Sequence, residues 1–247
     1  MLSTLSWAYD FEVDGIYYYF NEDSADVSVA RSNNYRDLGI PSSYSGDMVI
    51  PSTVTYNNKT YRVRSISYDA FPGCYTIRSV EIPEGMDIEL GAFSCSSITS
   101  IKIPKGVTHI GEDTFFHCTS LKSVDFPESM IGIWGASFAH CSSLKSIKIP
   151  NKVTIIDNES FFACSFLESV EIGESVANIG DLAFYHCYHL TTITCFAENP
   201  PQLGNLVFGG DVPVKKATLY VPASAVDKYK AADQWKEFEK ILPIEYK

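Results

Sequence analysis

Several things are missing from this 247-residue sequence. No apolar run approaches the roughly 20 residues that cross a bilayer as a helix, so no membrane span is expected. Positive charge is scarce: 19 Lys and Arg stand against 30 Asp and Glu, for a net charge of -11, and no basic cluster stands out. Binding nucleic acid would require a surplus of cations to neutralise phosphates, and that function class is excluded. No motif groups a nucleophile, a base and an orienting residue, no glycine-rich phosphate cradle appears, and no C-x-x-C pair marks a zinc site. Neither an enzyme, a cofactor nor a metal is therefore expected. Met1-Leu2-Ser3-Thr4-Leu5 lacks the basic start and long apolar stretch of a secretion signal, which leaves a cytosolic chain or a mature one whose leader lies outside this sequence. What is present is an apolar content of 45%, ample for a continuous core.

Seven cysteines, an odd number, at first suggest disulfides, but their spacing has another meaning. Cys74, Cys95, Cys118, Cys141, Cys164 and Cys187 lie 21, 23, 23, 23 and 23 residues apart, a period that points to a solenoid. Three residues before the cysteine stands Phe71, Phe115, Phe138, Phe161 or Phe184, with Phe93 one residue closer because the second repeat is shortened. Three after it comes Ile77, Ile98, Leu121, Leu144, Leu167 or Leu190, and an apolar pair follows at positions six and eight, as in Ile147 and Ile149. Pro83, Pro104, Pro127 and Pro150 come next, and pairs such as Val153 and Ile156 complete each unit. Three-residue steps place Phe, Cys and Leu on one side of a helical or 3₁₀ turn, while two-residue steps before proline mark a short strand with one buried face. A single unit cannot cover its own apolar side, so units must stack, their parallel strands roughly 4.8 Å apart in one long sheet. The cysteines then read as buried, inert thiols.

The pattern FxxCxxLxxIxIPxxVxxIG, seen from Phe138 to Ile156 and around Phe115 and Phe161, resembles the BspA-like leucine-rich repeat family of bacterial cell-surface proteins. Tyr44 to Val54 with Asn57 to Tyr61 is similar to the leading segment of such proteins in Bacteroides-type bacteria, and Leu219 to Trp235 to their closing segment. Departures are modest: Ser67, Trp134 and Asp157 stand where glycine is usual, and Gly173 and Phe196 replace the proline. The resemblance implies an α/β solenoid, a right-handed superhelix, and a cell-surface or secreted adhesion module for host or matrix proteins.

A stack of units needs caps at both ends. Residues 1–62 are expected to form a β-rich cap, with hairpins at Val13-Asp14-Gly15-Ile16 and at Tyr56 to Tyr61. Residues 63–195 hold six repeats. Residues 196–247 form the second cap: an irregular loop at Pro200-Pro201 and Gly209-Gly210, a strand at Leu219 to Pro222, and an amphipathic helix over Ser224 to Phe238 that buries Val226, Tyr229, Trp235 and Phe238.

If positions six and eight past each cysteine point inward, positions five and seven point outward. The first outward column, Ser79, Ser100, Ser123, Ser146, Ser169 and Thr192, is all hydroxyl; the second, Glu81, Lys102, Asp125, Lys148, Glu171 and Thr194, mostly alternates in sign. Such a face is either a solvated sheet whose charges set its register, or a hydroxyl groove beside a charged ridge, with Ser100, Lys102, Ser123, Asp125, Ser146, Lys148, Ser169 and Glu171 as ligand-binding candidates. The partner is then a protein or a glycan, and a spacer without any ligand is the remaining reading; the chain is expected to be a monomer. Tyr17, Tyr18, Tyr19 and Phe20 form a second patch, about half of which a hairpin would bury. His117, His140, His186 and His189 lie beside the cysteines and read as a surface column rather than metal ligands.

Overall fold

The computed structural model describes residues 9–22, 25–32, 44–68 and 70–245, and Met1-Leu2-Ser3-Thr4-Leu5 lies outside them. Phe11–Val13 (β1) and Ile16–Phe20 (β2) pair antiparallel across Asp14 and Gly15, whose φ values of 51° and 77° suit the tight hairpin turn that only small or Asx residues accept. Asp26–Val29 (β3) adds to β2, and Gly46–Val49 (β4) follows it. Thr53–Tyr56 (β5) and Lys59–Ile66 (β6) make the second expected hairpin, at Asn57 and Asn58, again with positive φ.

The winding begins inside this cap. β3 pairs parallel with β6, and β4 pairs parallel with Ile77–Glu81 (β7), so β3 and β4 are the two strands of a leading coil beneath coil one, which carries β6 and β7. Every later coil has the same two walls. Coil two carries Asp87–Ile88 (β8) and Ser100–Lys102 (β9), and coil three His109–Ile110 (β10) and Ser123–Asp125 (β11). Coil four carries Gly132–Ile133 (β12) and Ser146–Lys148 (β13), and coil five Ile155–Ile156 (β14) and Ser169–Ile172 (β15). Coil six carries Asn178–Ile179 (β16) and Thr192–Cys195 (β17), and coil seven Gln202–Leu203 (β18) and Thr218–Val221 (β19). Lys240–Pro243 (β20) closes the second wall against β19. The first wall, built from the residues eight before each cysteine, carries short strands that periodicity alone does not announce.

Coil seven corrects the expected irregular loop. Proline and glycine at 200–201 and 209–210 suggest a break, yet β18 pairs with β16, and the Phe208 ring stacks 5.8 Å from Phe184. The Phe column therefore runs unbroken through coils one to seven with neighbouring centroids 5.1–5.8 Å apart. Tyr44 covers one end, 4.8 Å from Phe71, and Trp235 and Phe238 cover the other, each 5.3 Å from Phe208. Burying each such ring contributes about 1.5–3 kcal/mol, so the side-chain stack is the chief source of cohesion.

The side of the coil that carries Phe and Cys is neither helical nor 3₁₀. Coils three to six each have instead two left-handed positions four residues apart: Asp113 and His117, Ala136 and His140, Glu159 and Ala163, Leu182 and His186. This flips alternate N–H groups toward the next coil. Asp113, Phe115 and His117 donate to the carbonyls of Gly135, Ser137 and Ala139 at 2.8–3.1 Å, while Phe116 and Cys118 donate within the turn to Asp113 and Phe115. A continuous helix would direct all those donors along its own axis and leave the coils unjoined. The result is a third, hydrogen-bonded wall.

The carboxy-terminal cap is also less helical than expected. Only Val226–Ala231 (α1) is α-helix; Ala232 turns extended at ψ 140°, and Gln234 takes φ 58° before a 3₁₀ turn at Trp235–Glu237. The buried face is nonetheless the expected one. Tyr229, Trp235 and Phe238 are buried and Val226 packs against the core. The break lets the indole N–H of Trp235 donate to the Pro201 carbonyl at 3.0 Å, and the Gln234 amide bond to Gly204 and Val207. No helix among the described residues is long and apolar enough to cross a membrane.

Candidate functional site

The second wall places the candidate side chains as their alternation requires. Ile101, Ile147, Val170 and Ile193 point into the core, and Ser100, Lys102, Ser123, Asp125, Ser146, Lys148 and Glu171 are exposed, with Ser169 half-buried. Parallel pairing sets Ser100 beside Ser123 and Lys102 beside Asp125, and likewise Ser146 beside Ser169 and Lys148 beside Glu171. Lys148 Nζ reaches Glu171 Oε2 at 3.8 Å with both side chains at least half exposed, a pair that sets register more than stability. Lys145–Glu168 and Lys105–Glu84 bridge neighbouring coils in the same manner.

These eight residues do not form one surface. The expected single long sheet is three ladders: β4 with β7, β9 with β11, and β13 through β15, β17 and β19 to β20. At other joints the bonds flanking the strands are made, as from Lys122 N–H to Thr99 and from Glu168 N–H to Lys145. Between coils three and four the equivalent Lys145 N–H and Lys122 C=O have no backbone partner among the described residues. Phe126 marks this joint. It takes the position that Ile103 and Ile149 fill in adjacent coils, and its wider, half-buried ring lies edge-on to Phe138 at 5.9 Å.

The thiol column faces the core. Cys118, Cys141, Cys164 and Cys187 donate from Sγ to the carbonyls of Phe93, Phe115, Phe138 and Phe161, one coil back, at 3.1–3.3 Å. Burial pushes the Cys118 and Cys164 thiols up to about 12, and raises Cys141 and Cys187 well above the usual range. At neutral pH they are unreactive thiols, not nucleophiles. Cys95 is the exception. The shortened repeat moves it to the left-handed position of His117 and His140, half-exposed, while Ser96 takes the buried place and sits 3.4 Å from Cys118 Sγ.

The histidines belong to an aromatic column on the outer side of the turn wall, which the sequence shows only as the second member of Phe115-Phe116, Phe161-Phe162 and Phe184-Tyr185. His117 and His140 lie 5.4 Å apart, Phe162 contacts His140 and His186, and it stacks on Tyr185 at 5.7 Å. Desolvation and the neighbouring His117 lower the His140 pKa, opposed by Glu159. Phe166 and His189 stack separately, 5.0 Å apart. Among the described residues no three His, Cys, Asp or Glu side chains gather as metal ligands. In the amino-terminal hairpin, Tyr18 is buried, Tyr17 and Tyr19 are half-buried and Phe20 is exposed, so the cap takes up part of that patch.

Solved structures share this architecture. A leucine-rich repeat protein from Bacteroides ovatus is 23% identical over 96% of this chain and 77% of its own, with a TM-score of 0.51. A leucine-rich repeat protein from T. pallidum is 20% identical over 86% of this chain and 81% of its own, with a TM-score of 0.55. At such identities the likeness extends to the fold alone. No curated protein matches the sequence. The model of the BspA type leucine rich repeat region, in six copies, matches residues 51–133 and 86–214, which is more than half of the sequence. With its stacked Phe and Cys columns and paired strand walls, the chain belongs to the BspA-type leucine-rich repeat family.

Proposed function

We propose that the chain is a non-catalytic binding module, secreted or displayed at the cell surface, that holds a protein partner on its second strand wall. One observation carries this reading. From β13 to β20 the backbone is an unbroken parallel ladder over a filled core, and it presents the 146, 169 and 192 hydroxyls beside Lys148, Glu171 and Thr194 at fixed spacing. A rigid, preorganised face loses little entropy on association, which suits recognition more than chemistry. Nothing in the arrangement favours one protein partner over another, and adhesion to host or matrix proteins is the form of this reading that the family suggests.

The test is an array of extracellular proteins and of glycans, followed by the combined variant Ser123→Ala, Ser146→Ala, Lys148→Ala and Glu171→Ala against any partner found. Loss of about tenfold or more in affinity is expected, equivalent to about 1.4 kcal/mol. Unchanged affinity removes the second wall from the reading, and failure to bind either array leaves the spacer.

A further inference from the structure

A cleft lies at the margin of the second wall, where the ladder between coils three and four is interrupted. It has a volume of about 370 Å³ and is lined by Lys122, Ser142, Ser143, Lys145 and Phe166, from three successive coils. Its surface is mainly apolar because Phe166 is 52% exposed, its ring held in place by stacking on His189 at 5.0 Å. An aromatic ring left bare on a surface loop, backed by a second ring rather than tucked into the core, is a platform without an occupant. Charge and hydrogen-bonding groups surround it. Lys122 forms no ion pair among the described residues, whereas Lys145 shares its charge with Glu168 at 3.4 Å. The cleft therefore carries one uncompensated positive charge on a protein of net charge -11. Lys145 N–H and Lys122 C=O, which make no backbone bond among the described residues, are a donor and an acceptor on two lining residues, and Ser143 Oγ, which donates to Thr119 at 2.6 Å, can still accept.

We infer that this cleft binds a monoanionic sugar, a pyranose bearing one carboxylate such as a uronic acid residue of a glycan. The apolar C–H face of a pyranose covers an aromatic ring, its hydroxyls need donors and acceptors around the rim, and a single carboxylate matches the one free ammonium. A bare inorganic anion would leave Phe166 uncovered. A neutral sugar would leave Lys122 unanswered. The volume is at the small end of ligand sites and fits one or two sugar rings rather than the broad footprint of a protein. This site is independent of the protein-binding wall proposed above and stands if that wall binds nothing.

The experiment is a titration of the whole chain with methyl β-glucuronide and with methyl β-glucoside, followed by amide and ring NMR signals of Lys122, Lys145 and Phe166. Glucuronide is expected to shift these signals saturably with a Kd of about 1 mM, and glucoside to bind about tenfold or more weakly. Phe166→Ala should abolish the shifts, and Lys122→Gln should reduce glucuronide to the affinity of glucoside. Both side chains are exposed, so an unchanged melting temperature certifies the fold of each variant. Equal affinity for the two sugars, shifts that persist in Phe166→Ala, or no shift at all would overturn the proposal. So would an acidic peptide, acetyl-Asp-Phe-amide, that occupies the cleft where glucuronide does not.

Discussion

Coils one to four and coils four to seven have the same Phe stack and the same turn wall, yet their strands are joined differently. In the carboxy-terminal half every joint is paired on both walls: β12 with β14 and β13 with β15, then β14 with β16 and β15 with β17, then β16 with β18 and β17 with β19. In the amino-terminal half each joint keeps one. Coils one and two are paired by β6 and β8, coils two and three by β9 and β11, and coils three and four by β10 and β12. No joint loses both, and the N–H groups of Phe71, Phe93 and Phe115 still bond to the next coil through the turn wall. A coil held on three sides tolerates the loss of one, so a shortened repeat or a bulky Phe126 is accommodated without ending the stack. This redundancy also leaves room for a cleft.

Alkaline pH should have the largest effect on this comparison. Folded Cys118 and Cys164 stay protonated up to about 12 while unfolded thiols ionise near 9.0, so above about pH 9 the unfolded chain binds fewer protons than the folded one. Stability is complete below that pH and falls as pH rises, by about 1.4 kcal/mol per pH unit for each buried thiol. Cys141, Cys187 and Cys195 are raised in the same direction, chiefly by burial. Denaturant unfolding between pH 8 and 10, with hydrogen exchange resolved by coil, should show the carboxy-terminal half losing the advantage of its double pairing. A flat profile would mean that the thiols are open to solvent.

Next in size is Phe138→Ala, at the joint between the halves. Phe138 is fully buried between Phe115 and Phe161, and the cavity should cost about 3–5 kcal/mol in denaturant unfolding. Phe93→Ala should cost as much, since Phe93 is likewise fully buried and stacks on Phe71 and Phe115 at 5.1 and 5.5 Å. A much smaller loss at Phe93 would show that missing strand pairs loosen the core as well as the surface. The smallest effect is expected from Phe126→Ile, which gives this coil the residue of its neighbours. Stability should change by less than about 1.5 kcal/mol, while the Lys145 amide should become protected from exchange as it reaches the Lys122 carbonyl. Continued fast exchange there would mean that something other than Phe126 separates the coils.

The sequence was most legible where one residue type answers one local need. Asp14-Gly15 and Asn57-Asn58 announced their hairpins because Asp, Asn and Gly take positive φ at the least cost, and Tyr229, Trp235 and Phe238 announced a buried face. The helix between them was not legible, because its interruption at Ala232 to Gln234 serves bonds to Pro201, Gly204 and Val207, about thirty residues away. Cys95 misled for a related reason: a deletion of one residue shifts the column, and only the packed structure shows Ser96 in the buried place. Of the candidate strand face, exposure and register were legible; its division at Phe126 was not, and Phe166 had no period to mark it.

By itself the sequence determined the family, the period and the inward set of side chains, since burial recurs with the coil and repeats in the letters. Only the tertiary structure decided which walls pair at each joint, that the winding runs one coil further at both ends, and where a cleft opens. These depend on how one coil fits the next, across contacts some 23 residues apart, and a ring one size too large is felt by its neighbour rather than by its own repeat.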